Sequence, residues 1–336
     1  MSVSGFPDLA AARAIARTVS ELKERITVVQ QESVTGLVAD IADDRKGDVG
    51  SIMTMRKAIE DAKSYADAVT LGQSRAGVTQ SALALLEDDL SAFAIQVTTI
   101  AEGTAQGDAG VLASDAATRL ETLVGTLNVR HGGRTLFSGT ATDGAALAPS
   151  EDILTQVGAI LAASATAADA DAALTLFFDD PAGGFYGGVY LGDDGQAGVA
   201  QTGPNSAITY GKRADDPAIR DLIRGLAVLA THDQAGFAGD ADETRELMAS
   251  VTGSLFDADD GVTRMRGELG AAEARLEEAK TYLEANETTF TTALNNTIGR
   301  DQFEAATEFQ NLTNQLEASY AATARVGALT ILNFLR

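Results

Sequence analysis

Apolar residues near the start of the chain fall at alternating steps of four and three. Ile15, Val19, Leu22, Ile26 and Val29 carry the pattern, which is the narrow seam of a coiled coil. A helix is expected over 10–33, before Gly36 and the run Gly47-Asp48-Val49-Gly50 interrupt it. A second helical run begins at 51. Ile52, Met55, Ile59, Ala62, Ala66 and Val69 mark one face, and Leu83, Leu86, Leu90, Phe93, Val97 and Ile100 continue it less regularly. A turn over 103–110 precedes another helix over 111–129, which His131-Gly132-Gly133 closes.

The far end repeats the seam at greater length. Leu255, Val262, Leu269, Leu276, Leu283 and Phe290 recur every seven residues, and Ala258, Met265, Ala272, Ala279 and Ala293 follow three residues behind their partners. Such a sustained repeat predicts one helix of roughly 60 Å, ending near Gly299. Asp301 and Glu304 have the spacing of a capping box for a last helix. Leu312, Leu316, Tyr320, Thr323 and Val326 give it an apolar stripe, which ends in Leu329, Ile331, Leu332, Phe334 and Leu335.

The middle differs. Residues 142–253 hold four of the five prolines, together with most of the paired glycines, and read as a small mixed domain. Helices are expected over 151–162, 218–230 and 241–251, with Pro217 at the start of the second. Short strands are expected over 185–191, 199–201 and 208–210, between Gly- and Asp-rich turns. The fold class that follows is mainly α with a small inserted α+β domain, the N- and C-terminal helices pairing in a long coiled-coil bundle. Its expected parts are an assembly helix and connector over 1–50, one half of a helical bundle over 51–141, the inserted outer domain over 142–253, the long helix over 254–299 and a C-terminal assembly helix over 300–336.

A helix with a two-position seam is stabilised by packing that seam against partners. Burying each exposed Leu or Ile is worth roughly 1.5–3 kcal/mol. The stripes at the two extremes can be sheltered by neighbouring copies or by the chain's own bundle, and periodicity leaves both open. Head-to-tail contacts between copies that do not close would build an open helical array. The candidate assembly surface is Ile15, Val19, Leu22, Ile26, Val29, Leu312, Leu316, Tyr320, Val326, Leu329, Leu332, Phe334 and Leu335.

Charge narrows the partners. The formal net charge is −23, so phosphate backbones and anionic membranes are repelled. No cysteine is present, which removes disulfides and thiolate metal sites. Aromatics make up only 5% and Trp is absent, a composition suited to narrow helix–helix contacts. No apolar run reaches the length of a membrane span. Residues 1–16 lack a basic start followed by an apolar stretch, so a cleaved secretory signal is not expected.

Several segments resemble a known family. Val34-Thr35-Gly36 with Ala42-Asp43-Asp44 resembles the stretch after the first helix of flagellins and hook-associated proteins. The run Gly132-Gly133-Arg134-Thr135-Leu136-Phe137-Ser138-Gly139-Thr140 resembles the Gly-Arg-Tyr-Leu-Phe-Ser-Gly-Thr stretch of the third hook-associated proteins, the hook–filament junction subunits of the bacterial flagellin superfamily. Tyr190-Leu191-Gly192-Asp193-Asp194-Gly195-Gln196 is similar to a stretch of their middle domain, and Phe334-Leu335 to their ending. The resemblance implies a non-enzymatic structural subunit of the bacterial flagellum, exported without a cleaved signal. It implies a helical ring of copies, contacts to another hook-associated protein and to flagellin, and an export chaperone. No cofactor is implied.

His131 and His232 lie far apart and form no zinc motif; each is expected to cap a helix end, where a cation meets the dipole. Asp193-Asp194-Gly195 and the run Asp257 to Gly261 lack the full calcium-loop spacing; turn chemistry is expected for the first and helix N-terminal charge for the second. Gly183 to Gly188 lacks the Lys-Ser/Thr of a phosphate loop and is expected to lead into a strand. The competing functions are flagellin itself, a ligand-binding or enzymatic middle domain, and a coiled-coil signalling protein.

Overall fold

The computed structural model describes residues 6–41, 49–88, 90–101, 109–196 and 198–334, with side chains described between 13 and 325 apart from 101 and 109. Long helices dominate. They are α1 (Phe6–Thr35), α2 (Gly50–Glu87), α3 (Leu90–Ala101), α4 (Ala109–Leu127), α5 (Ser150–Ala163), α6 (Ala167–Asp179), α7 (Pro217–Thr231), α8 (Ala241–Ile298) and α9 (Gln302–Phe334). Two small antiparallel sheets accompany them, β1 (Arg130–His131) with β2 (Arg134–Thr135) and β3 (Val199–Gly203) with β4 (Ser206–Thr209). The chain is mainly α with a small mixed segment in its middle. It forms two compact units, residues 1–62 with 285–336 and residues 63–284. The long helices α2 and α8 contribute to both.

The first unit is built on α1 and α9, which pack along one another. Their order is antiparallel, since Arg25 meets Glu308 while Gly36 lies against Gln302. Gly36 ends α1 in the left-handed region, at φ 68°, with its N–H bonded to the Glu32 carbonyl at 2.8 Å. Asp301 opens α9, its carboxylate accepting from the N–H groups of Phe303 and Glu304 at 2.8 and 3.2 Å. Between these ends the Val38 N–H donates to the Ile298 carbonyl and the Arg300 N–H to that of Gly36, both at 2.9 Å. A short antiparallel bridge of Leu37 with Gly299 completes the joint.

The second unit holds the larger core. Leu255, Val262, Leu269, Leu276 and Leu283 of α8 are buried together with Val69, Ala76 and Leu83 of α2, so the seven-residue repeat marks a packed seam. The repeat's last member, Phe290, belongs to the first unit and is 37% exposed. Helix α7 is buried over most of its circumference and lies against α4 and α5. Gly225 and Gly261 admit the close approach of α7 to α8. A methyl at Gly225 would sit 2.8 Å from Leu255, and one at Gly261 2.4 Å from Ala218.

Two expectations for the middle change. Residues 185–189 form a π-helical turn rather than a strand, closed by the Tyr190 N–H on the Phe185 carbonyl at 2.8 Å. Phe185 and Val189 are both fully buried, and Phe185 sits among Phe178, Tyr186 and Tyr190. The aromatic cluster brings the adjacent rings of Phe185 and Tyr186 together, which an alternating strand would send to opposite faces. Only Tyr190 and Leu191 are extended, bonded beside Ala146 and Leu147. The helices expected over 241–251 and from 254 are one helix, α8, which passes Gly253 without a break. Leu247, Met248 and Val251 are buried in the same core as Leu255, and continuous packing outweighs the roughly 1 kcal/mol helix penalty of a glycine.

Candidate assembly interface

The predicted stripes meet each other. Val29 and Leu312 are buried together with Ala305, and Leu22, Ile26 and Phe309 pack around them. Ile15, Val19 and Leu316 are half-buried. Tyr320 stays 47% exposed, with the Lys23 ammonium 5.7 Å from its ring centre. The side chains of Val326, Leu329, Leu332 and Phe334, and Leu335 altogether, lie outside the described residues. Within one chain, then, the terminal helices cover one face of each other, and the described stripe residues Ile15, Val19, Leu316 and Tyr320 keep part of their surface in contact with water.

A charge network that periodicity did not single out fastens this pair. The Arg300 guanidinium donates to Glu308 and lies 3.6 Å from the Glu32 carboxylate. Arg25 donates to the same Glu308 carboxylate at 3.0 Å. Glu32 is 6% exposed and also accepts from the Ala39 N–H at 3.0 Å. A buried carboxylate of this kind requires a cation and hydrogen bonds together. The available signal was a lone arginine between Gly299 and Asp301, facing an acid one turn before Gly36. It is legible only once the two helix ends are known to adjoin.

In the second unit two of the segments that carry the resemblance, 132–140 and 190–196, form one structure. Gly132 and Gly133 make the two-residue turn of the β1–β2 hairpin, at φ 59° and 79°. The chain then passes inward, burying Phe137 and Ser138 completely. Gly139 follows in the left-handed region at φ 65°. The Thr140 N–H and hydroxyl both donate to the Asp193 carboxylate, the former at 2.6 Å. Asp193 also accepts from the Gly195 N–H at 3.1 Å, and its own N–H donates to the Ser138 carbonyl at 3.2 Å. The Tyr190 hydroxyl donates to the Asp193 carbonyl at 2.8 Å. Those hydrogen bonds, with Thr140 first, hold the Asp193 carboxyl below its ordinary pKa. Burial, reinforced by the charge of Asp215, pushes the Tyr190 phenol up. Arg213 fixes the far side, gripping Asp215 at 2.7 and 2.8 Å and the Asp194 carbonyl at 2.6 Å. Asn128 binds the next segment, donating to the Leu147 carbonyl and accepting from the N–H groups of Ala146 and Leu147.

The other candidates resolve as structural groups. His232 sits at the C-terminal end of α7, its Nδ1 2.8 Å from the Leu229 carbonyl. His131 does not cap a helix: α4 ends at Leu127, and His131 lies in β1 with its Nε2 3.0 Å from the Ser74 hydroxyl. Asp193-Asp194-Gly195 is the turn just described. The run from Asp257 to Gly261 lies inside α8, not at its start, because the helix begins at Ala241; Asp259 there accepts from the Ser91 hydroxyl. Gly183 and Gly184 lead into the π-helical turn, packed against backbone carbonyls and the Phe177 ring. Among the described residues no group of three or more His, Cys, Asp or Glu is placed to hold a metal ion. None of the described helices is long and apolar enough to cross a membrane.

Residues 254–335 match the family model of the bacterial flagellin C-terminal helical region. The C-terminal segment is similar to that flagellin region. The match takes in most of α8 and all of α9, the helix that pairs with α1. No curated protein matches the chain. Among solved structures, a chain described as a flagellar hook-associated protein of Vibrio parahaemolyticus is similar. It is 12% identical, with a TM-score of 0.38, over 75% of this chain and 98% of that one.

Proposed function

We propose that this chain is a structural subunit of the bacterial flagellum that joins the hook to the filament. The observation that carries the flagellar reading is the flagellin C-terminal helical region over 254–335, paired through α9 with the N-terminal helix α1. The role is structural rather than enzymatic. Terminal helices whose described stripe residues Ile15, Val19 and Leu316 are only half covered within one chain gain further burial by packing against sister copies, each additional covered Leu or Ile contributing up to about 1.5–3 kcal/mol. Ile15, Val19, Leu22, Leu316 and Tyr320 are the described residues that would meet those copies, joined by Val326, Leu329, Leu332, Phe334 and Leu335. Val29 and Leu312 hold the pair itself together.

The junction position rests on the stretch Arg134 to Thr140 and on its union with Tyr190 to Gln196, the segments that resemble hook–filament junction subunits. Its partners in this reading are another hook-associated protein on one side and flagellin on the other, with an export chaperone before assembly. The location is the outer flagellum, reached without a cleaved signal.

The flagellin description of the C-terminal match supports a second reading, the filament subunit itself. Deletion of the gene followed by electron microscopy separates the two. A junction subunit leaves hooks that shed flagellin into the medium, and restored protein labels a thin band at the hook's end. Labelling along the whole filament establishes the second reading instead. Normal filaments in the deletion strain would refute both.

A further inference from the structure

One cleft in the second unit departs from the electrostatics of the rest of the chain. It has a volume of about 230 Å³ and is lined by Arg75, Arg134, Thr142, Gln196 and Tyr210, and among the described residues no carboxylate lies on its wall. The chain carries 48 acidic residues against 25 basic ones, so a cleft holding two arginines and no acid is unusual within it. Asp193, next to the cleft residue Thr140, is already held by the N–H groups of Thr140 and Gly195 and by the Thr140 hydroxyl.

Arg75 is the sharper observation. Among the described residues the buried guanidinium nitrogens without a hydrogen bond are the Nε atoms of Arg75, Arg220, Arg266 and Arg300. Three of these side chains hold carboxylates through other nitrogens: Arg220 with Asp179, Arg266 with Glu87 and Arg300 with Glu308. Arg75 holds none. A partly buried guanidinium left in this state forgoes charge-assisted hydrogen bonds that its planar fork is shaped to make. Arg134, exposed at the tip of the β1–β2 hairpin, brings a second cation to the same space. The volume falls below the usual range for small-molecule pockets, about 300–1,000 Å³, and suits the end of one acidic side chain.

We infer that the Arg75–Arg134 cleft receives the carboxylate of an Asp or Glu side chain from a second copy of this chain. The inference rests on the self-assembly reading above and adds to it a contact in the second unit, away from the terminal helices. Charge complementarity selects the occupant, because a surface of net charge −23 presents carboxylates to any copy that approaches. The contact supplies register more than bulk affinity, as interfacial charge pairs do.

The test is sedimentation velocity of the full-length chain over a concentration series, at low and high salt. Wild type and variants are compared at the same salt, because the ion pair and the repulsion between two copies of net charge −23 are both screened. R75Q and R75E should each weaken self-association by at least about tenfold, and R134Q by less, with melting temperatures of dilute protein unchanged. Because the chain lacks cysteine, Q196C with a photoreactive maleimide reports the same contact independently. Cross-links should map to an acidic peptide of a second copy. Several results would overturn the inference: R75E associating as the wild type does, a wild type that stays monomeric throughout, or free glutarate raising the melting temperature of the wild type but not of R75Q while association is indifferent to both. The first and third of these leave the flagellar reading untouched, and a wild type that stays monomeric counts also against self-assembly of the isolated chain; the deletion strain decides the flagellar reading separately.

Discussion

Thr140 donates twice to Asp193, through its backbone N–H and its hydroxyl, and so ties together segments 53 residues apart. The pair is the knot of the middle segment. Gly139, the Ser138 carbonyl and the Tyr190 hydroxyl all converge on the Asp193 turn. A carboxylate held by donors keeps its charge further into acid than a free one.

The first prediction concerns acid stability. Asp193 has a folded pKa below its unfolded value. Its contribution is therefore complete above the unfolded pKa of about 3.9 and is lost as pH falls through the depressed folded value. D193N and T140V should each lower the melting temperature by a few degrees at neutral pH. The gap to the wild type should narrow below about pH 4, as the wild-type carboxylate takes up its proton. Thermal melts across pH 2.5–7 read this directly, and a pH-independent gap would contradict the assigned cause.

Asp221 has the opposite sign. Burial first, and the charge of Asp179 second, raise its folded pKa. The native state then binds the proton more tightly than the unfolded chain, so stability falls as pH rises from about 4 through the raised value. D221N removes the penalty without changing shape. It should melt higher than the wild type at neutral pH and lose that advantage below about pH 4. Differential scanning calorimetry at the two pH values decides it.

Arg300 should matter more than an exposed arginine. Its removal leaves Glu32 buried with only the Ala39 N–H. R300Q should weaken the α1–α9 joint by about 1–3 kcal/mol, the range for orphaning a buried polar group. Hydrogen exchange should speed up at Gly36, Val38 and Arg300, whose backbone groups form the joint. E32Q combined with R300Q should recover part of the loss, because the uncompensated charge is gone.

The two units differ in the depth of their cores, and proteolysis should follow that difference. Val29, Ala305 and Leu312 form the small buried cluster of the first unit, whereas the second unit's core runs through α2, α4, α7 and α8. Local opening is easiest where few apolar contacts are lost. Dilute protein should be cut first within 1–62 and 285–336, leaving a resistant fragment near 63–284. L312A, at a cost of about 2–3 kcal/mol, should speed the first cuts and leave the fragment's survival unchanged.

Periodicity along the sequence determined the helices and the faces they bury. The steps of four and three from Ile15 to Val29 and the sevenfold repeat from Leu255 are properties of one strand of text, and the helix repeat turns them into stripes without further information. Glycine and proline marked the joint at Gly36 and the start of α7 for the same local reason. Tertiary structure decided what depends on distant partners. Phe185 to Val189 wind into a turn because Phe178 and Tyr190 surround Phe185, and Gly253 stays helical because its neighbours share one core. Arg300 finds Glu32, and Thr140 finds Asp193, only after the chain has folded back on itself. A hydrogen bond across such separations leaves no period in the sequence, since its two ends are related by topology rather than by spacing.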